Sequence, residues 1–290
     1  MLVVRILHYC YFLKMPHPKV SILITTWNRA NLLGRAIQSA IDQDFKDWEL
    51  IIADDGSTDD TEKIGKEWEK KDSRIQYLRA PHFGRIAKIS NFGLNQTKGE
   101  YIAILDDDDM WAVKDKLTKQ VKFLDENKDY VACGGGYIVI DKLEKEKSRY
   151  LKPEEHKGII KNALLANPMV NTTTMFRKSA AEKIDFYNET LPEFADWDFW
   201  LKMGLEGKLY NFPLHFAYYQ MWDTGSSFSK QKGTAYSALQ IVSRYKGKYP
   251  HYKKAIVLAY IYYTYTLLPN FIRSFLNPIL SRLKKLLFSA

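Results

Sequence analysis

Gly99-Glu-Tyr-Ile-Ala-Ile-Leu-Asp-Asp-Asp-Asp109 joins a short apolar run directly to four consecutive carboxylates. A continuous apolar run such as Ile102–Leu105 suits a strand covered on both faces, so the aspartates stand at its carboxyl end. Two unit charges ~4 Å apart repel by about 4 kcal/mol at an effective dielectric near 20. The run therefore raises its own pKa values unless a cation relieves it. A hard divalent ion, Mn²⁺ or Mg²⁺, does this with one or two protein carboxylates, and waters and substrate phosphates complete its shell. In an extended segment alternate side chains share a face. Asp106 and Asp108 are then expected to point together, and Asp107 and Asp109 the other way. An isolated acidic run more often makes a solvated turn; its place beside other polar strand ends points instead to a metal-and-diphosphate site.

The flanking sequence supplies those strand ends. Val20–Ile24 is an apolar run, and Leu32, Leu33, Ala36, Ile37, Ala40 and Ile41 recur at helical spacing. Trp48–Ala53 is a second strand ending in Asp54-Asp55-Gly56-Ser57, followed by a polar helix capped by Asp59, Asp60 or Thr61. Ile75–Leu78 is a third strand and Ile86–Leu94 a helix. This alternation predicts an α/β fold with a mainly parallel sheet covered by helices on both faces, whose ligands lie beyond the strands' carboxyl ends. Farther on, Val131–Ile140, Val170–Phe176 and Phe216–Met221 read as strands, and a helix starts near Asp196. Gly134-Gly-Gly136 would let another backbone or a ligand approach closely.

The 290 residues suffice for one large α/β domain with an appendage. Two distant cysteines, Cys10 and Cys133, make no disulfide framework, and a reducing cytoplasm fits best. No His-x-x-x-His pair occurs, which argues against a zinc enzyme. After Asp223 there are eleven Lys and Arg and no acidic residue, so residues 1–223 carry −2 of the net +9. Such asymmetry points to an anionic surface as partner. Ala255–Leu268 is apolar but too short to cross a bilayer. Phe271–Phe288 interleaves apolar residues with Arg and Lys, as in a helix lying on a membrane surface; packing on the domain or a partner is the alternative. Long apolar runs between the basic residues disfavour nucleic-acid binding. Residues 1–18 read as an N-terminal extension. Its apolar stretch holds one Arg and no small-residue cleavage site, so a start at Met15 is favoured over a signal peptide.

Four motifs in order, Thr25-Thr-Trp-Asn-Arg29, Asp54-Asp55-Gly56-Ser57-Thr58-Asp59, Asn91-Phe-Gly-Leu94 and the Gly99–Asp109 run, resemble family 2 glycosyltransferases. Their agreement in spacing makes the resemblance specific from about Lys19 to Ser229. It implies the GT-A fold, a Rossmann-like α/β architecture, over residues 19–229; the composition of 230–290 makes that stretch a basic amphipathic helical tail, with a membrane surface as its expected contact. The resemblance also implies an inverting hexosyl transfer of one sugar from a nucleotide-sugar, usually a UDP-sugar, to a glycan or lipid-linked hydroxyl. The setting would be cell-surface polysaccharide or glycolipid synthesis, with the protein cytoplasmic and peripheral at the inner membrane face.

The same resemblance assigns Asp108, with Asp106, to the metal. It assigns Thr25, Trp27, Asn28, Asp54, Asp55, Arg85 (or Lys88), Asp106 and Asp107 to donor binding, with Asp55 on the base and Trp27 stacked on it. Asp196 matches the catalytic base. Two positions depart from the family pattern. Ala195 precedes the base where Glu is frequent, with Asp198 or Glu193 as possible compensation, and Trp222 stands where a His is frequent. A nucleotidyltransferase would want a Gly-rich loop after the first strand, and residues 25–33 contain no glycine. A non-catalytic nucleotide-sugar-binding or scaffold protein remains the other reading.

Overall fold

The computed structural model describes residues 17–221, 231–269 and 272–273. Trp222, most of the N-terminal extension and nearly all of the Phe271–Phe288 segment lie outside them. The first half alternates as expected: β1 (Val20–Thr26), α1 (Ala30–Ile41), β2 (Trp48–Asp54), α2 (Thr61–Lys71), β3 (Ile75–Arg79), α3 (Ile86–Leu94) and β4 (Tyr101–Ile104). β1 pairs in parallel with both β2 and β4, and β2 with β3. Leu32, Leu33, Ala36, Ile37 and Ala40 of α1 are buried; full burial of such a Leu or Ile contributes about 1.5–3 kcal/mol. The first N–H groups of α1 find acceptors in the β2–α2 loop. Arg29 N–H donates to Thr61 Oγ1 at 3.0 Å and Ala30 N–H to Asp59 Oδ2 at 3.2 Å.

The second half turns the sheet into a mixed one. It contains β5 (Met110–Trp111), α4 (Lys116–Glu126), β6 (Tyr130–Ile140), β7 (Glu146–Tyr150), α5 (His156–Lys161), a 3₁₀ turn (Asn171–Thr173), β8 (Met175–Arg177), α6 (Lys178–Lys183), α7 (Ala195–Glu206) and β9 (Lys208–Gln220). The order is β3-β2-β1-β4-β8-β6-β9-β5, with β7 on β6. β8 runs antiparallel to β4 and β6, whereas β9 is parallel to β6.

Three sequence readings change here. Of Val170–Phe176 only the end is strand, because Thr173 and Thr174 hydroxyls bond back to Val170 and Asn171 carbonyls and tighten a 3₁₀ turn. β9 begins eight residues earlier than the apolar run suggests. Its pairing jumps from Gly135–Phe212 to Gly136–His215, so Pro213 and Leu214 bulge out of the ladder. β7, Glu-Lys-Ser-Arg-Tyr, is a charged edge strand without an apolar signal. Gly136 admits it: a Cβ there would lie 2.3 Å from the Tyr150 carbonyl oxygen.

Two cores flank the sheet, one beneath α1 and α4 and one beneath α3 and α7. A third joins α7 to α8 (Gln231–Arg244) and α9 (Tyr252–Leu267), through Trp197, Leu201, Ile241, Val242 and Ala259 among others. Thus α8 and the Tyr252–Leu267 run pack on the domain. α9 buries Ala255, Ala259 and Thr266, while Lys253, Lys254, Val257, Tyr260, Ile261 and Leu267 form its exposed opposite face. Among the described residues no helix is long and apolar enough to cross a membrane.

Candidate active site

The β1 and β2 ends form one half of a cleft. Asp55 N–H donates to the Thr26 carbonyl at 2.9 Å, which locks the two strand ends together. Asn28, in the left-handed region at φ 53, donates its N–H to Ser57 Oγ, and its Oδ1 accepts from Thr58 N–H at 2.7 Å. Asp54 is fully buried. Its carboxylate accepts from the Ser57 N–H and hydroxyl and from the Tyr77 hydroxyl. Asn28 and Asp54, both assigned to donor binding from sequence, therefore shape the loop from beneath, and Asp54 does not reach the cleft.

Asp55 does line it. Its two oxygens accept from Phe83 N–H at 2.6 Å and Gly84 N–H at 3.0 Å, and His82 Nδ1 lies 3.1 Å away. Gly56 permits this approach: at φ +71, a Cβ would come within 2.9 Å of the His82 backbone nitrogen. His82 stacks on Trp27 with ring centroids 4.9 Å apart, and Trp27 stays 50% exposed. A second flat ring can therefore still settle on that tryptophan. Trp27, Thr25, Arg29, Asp55, Arg85 and Asp107 line one cavity of about 540 Å³. Lys88 is not among its lining residues.

Beyond β4 the acidic run turns instead of extending: Asp109 N–H donates to the Asp106 carbonyl at 3.1 Å. Strict alternation of the four side chains therefore fails, because it presumes a strand. Asp106 accepts from Asn171 Nδ2 at 3.2 Å, and Asp107 lines the Trp27 cavity. Arg29 lies 3.8 Å from Asp108 Oδ2, and Arg35 holds the Asp108 carbonyl at 2.8 Å. Asp109 turns inward, where its Oδ1 accepts from Gln220 N–H at 3.0 Å and its buried Oδ2 has no hydrogen-bond partner.

Burial, and then the Asp108 charge, pushes the Asp106 and Asp107 carboxyls up to about 7. Burial with Asp106 and Asp108 raises Asp109 well above the usual range. Crowded hard oxygen donors with an orphaned buried carboxylate oxygen fit a divalent cation. Among the described residues no three His, Cys, Asp or Glu side chains converge into a ready-made metal cage.

A second cavity, of about 270 Å³, shares Thr25 and Ile86 with the first and adds Asp106, Asn171, Tyr187, Glu193 and Asp196. Asp196 stands in the first turn of α7, after Phe194 at φ 61. Its Oδ2 accepts from Asn167 Nδ2 at 2.7 Å, and Lys152 Nζ donates to the Asn167 carbonyl at 3.0 Å. Burial raises the Asp196 carboxyl, opposed by the Trp197 N–H, Asn167 and the Lys152 charge. Tyr187 lies between the acidic groups: burial, then Asp196 and Asp106, pushes its hydroxyl well up. Asn91 of the third motif clamps the Tyr187 backbone at both N–H and carbonyl. Of the two carboxylates weighed against Ala195, Glu193 lines this cavity, whereas Asp198 is buried against Tyr245 and Arg244. Sequence reasoning missed His82, Lys152, Asn167, Asn171 and Tyr187, which belong to no contiguous motif.

The comparisons with known proteins agree with this geometry. The family described as "Glycosyl transferase family 2" matches residues 21–185. "Putative glycosyltransferase EpsE" of Bacillus subtilis is 31% identical over 220 residues, 75% of this chain and 77% of that one. The "GalNAc(5)-diNAcBac-PP-undecaprenol beta-1,3-glucosyltransferase" of Campylobacter jejuni is 43% identical over 93 residues, 32% of this chain and 30% of that one. Among solved structures, S. aureus TarS 1–349 in complex with UDP-GlcNAc superposes with a TM-score of 0.62 at 19% identity, over 78% of this chain and 66% of that one. The mannosyltransferase PcManGT from Pyrobaculum calidifontis, in complex with GDP-Man and Mn²⁺, gives 0.63 at 18% identity, over 86% and 70%. At such identities the structures speak for the fold alone, and that fold is GT-A. The chain belongs to glycosyl transferase family 2.

Proposed function

We infer that the protein moves one sugar from a nucleotide-sugar, a UDP-sugar first, to a hydroxyl of a glycan or lipid-linked acceptor, with inversion at the anomeric carbon. One observation carries this reading: Asp196 and Asp106 line the same small cavity, which shares Thr25 and Ile86 with the cavity of Trp27 and Asp55. A base ring would stack on Trp27, with its N–H edge toward Asp55. Arg85 and Arg29, which line the same cavity, would meet phosphate oxygens. Asp108 and Asp106 would hold the divalent cation, Mn²⁺ or Mg²⁺, which when bound neutralises the departing diphosphate.

Asp196 would then accept the proton of the acceptor hydroxyl. As that oxygen bonds the anomeric carbon, the carbon–oxygen bond to the diphosphate breaks, and the nucleoside diphosphate leaves with the electron pair. Burial raises the Asp196 carboxyl above the ordinary carboxylate range, which strengthens it as a base. The test is release of UDP from UDP-sugars with and without Mn²⁺: Asp108→Ala should abolish the metal-dependent part. Undiminished metal-dependent turnover in that variant would remove Asp108 as a ligand.

The lipid-linked substrate in the name of the C. jejuni relative supports an acceptor at the membrane. So does α9, whose exposed face combines Lys253 and Lys254 with Val257, Tyr260, Ile261 and Leu267. We read it as a peripheral contact with an anionic leaflet at the cytoplasmic side. Since α8 and α9 complete a core, surface substitutions test this better than truncation: Tyr260→Ser with Ile261→Ser should reduce flotation with phosphatidylglycerol vesicles. Equal flotation would remove the contact.

A further inference from the structure

Three tyrosines from three strands meet on one face of the sheet. β6 presents Tyr137, β7 presents Tyr150 and β9 presents Tyr219. Tyr137 lies flat against Tyr150, with centroids 5.2 Å apart and planes at 24°, and meets Tyr219 at 5.5 Å and 62°. The register places all three on one sheet face: Tyr137 is directly opposite Tyr150, and Tyr219 is opposite Val139, two residues along from Tyr137. Cross-strand aromatic pairs stabilise a sheet, and that alone would favour buried rings. Here Tyr150 is 50% and Tyr219 43% exposed.

Both ends of this shelf lead into the reaction site. Tyr219 immediately precedes Gln220, whose N–H holds Asp109. The charges of Asp109, Asp106 and Asp108, added to burial, push the Tyr219 hydroxyl up to about 12. At the other end, two residues past Tyr150, Lys152 anchors Asn167, which in turn holds Asp196. The shelf thus joins the strand end that holds Asp109 to the segment that anchors the Asn167–Asp196 pair.

We propose that Tyr137, Tyr150 and Tyr219 form the acceptor subsite, a stacking platform for a pyranose ring whose hydroxyl is presented to Asp196. The inference rests on the glycosyltransferase reading and names the acceptor class within it. A pyranose has one face rich in polarised C–H bonds and a rim of hydroxyls. The electron-rich face of a tyrosine suits the first, and its hydroxyl can bond the second. A nucleotide or lipid chain would not need both. The platform takes the terminal sugar of a free glycan or of a lipid-linked one equally, because it touches only the ring.

Saturation-transfer NMR with methyl β-D-glucopyranoside and methyl N-acetyl-β-D-glucosaminide tests the platform on the full chain. The wild-type protein should transfer saturation chiefly to the C–H protons of one ring face. Tyr150→Ala combined with Tyr219→Ala should weaken that signal at least fivefold, and Tyr150→Phe, which keeps the ring, should retain most of it. No signal in the wild type, or an undiminished one in the double variant, overturns the platform. UDP titrated into the same samples reads the donor cavity separately. UDP binding with an undiminished glycoside signal sinks the platform alone. A weakened glycoside signal without UDP binding upholds the platform and sinks the donor assignment.

Discussion

On the proposed donor side most assigned groups lie at or just past a parallel strand's end: Thr25 in the last residues of β1 and Trp27 after it, Asp55 after β2, Asp106–Asp108 close after β4. On the acceptor side the groups are assembled across distance. Asn171 reaches Asp106 from 65 residues away and Gln220 reaches Asp109 from 111, against 28–30 between the donor-side loops. The donor side is also saturated internally, with Asp54, Asn28 and Asp55 each engaged by neighbouring loops. Both sides keep exposed rings, Trp27 on one and Tyr150 and Tyr219 on the other, and carboxyls raised by burial, Asp107 and Asp196. A pocket for an invariant nucleotide can be preorganised by contiguous motifs, while a surface for a variable sugar is set by whatever the sheet brings together.

The largest break between the halves should come from Asp196→Asn. Transfer should fall roughly a thousandfold, the scale of a lost general base, while calorimetric UDP binding stays within twofold of wild type. Unchanged transfer would move the base elsewhere.

The seam between the halves gives the next effect. Lys116 is fully buried, bonds Gln120 Oε1 at 2.8 Å and lies 4.0 Å over Trp111. Gln120 and Trp111 in turn hold the Thr173 and Thr172 carbonyls beside Asn171. Burial lowers this ammonium to about 7. Between about pH 7 and the unfolded value near 10.4 the unfolded chain binds more protons at this site, so stability rises with pH there. The penalty is full below pH 7. Lys116→Met should therefore stabilise by about 1–3 kcal/mol at pH 6 and by less at pH 9, read by urea denaturation. A gain independent of pH would contradict the assignment.

A smaller effect confined to the donor side is expected from Trp27→Ala. Losing one stacked base costs about 1–3 kcal/mol, so the KM for the UDP-sugar should rise about tenfold with kcat within twofold. A rise in acceptor KM instead would blur the division. The smallest effect is a shift in a pH profile. The Lys152 charge lowers Asp196, so Lys152→Met should raise it and move the acid limb of kcat/KM upward by less than about one pH unit. A limb that stays put makes Lys152 a packing residue only.

The same contrast explains what could be read in advance. Alternating apolar runs revealed the parallel half, because β1, β2 and β4 are buried on both faces. Ile102–Leu105 with its aspartates pointed to the end of the sheet where the candidate site lies. The acidic turn escaped because four like residues carry no signal of direction; Asn171 and Gln220, fixed by the tertiary fold, decide where each carboxylate points. β7 and the first part of β9 escaped because one is charged and the other carries Pro213. Lys152, Asn167 and Tyr187 sit in unremarkable sequence and acquire meaning only beside Asp196.

The grip of Asp55 on Phe83 and Gly84 has a thermodynamic consequence. The carboxylate proposed to recognise a base is also the latch of the 82–84 loop, so ligand recognition and loop opening draw on one set of lone pairs. Each opening of that loop would loosen the stacked His82 and Trp27 together. Exchange of the Phe83 and Gly84 amide hydrogens then becomes a direct readout of how firmly the pocket is set before any nucleotide arrives.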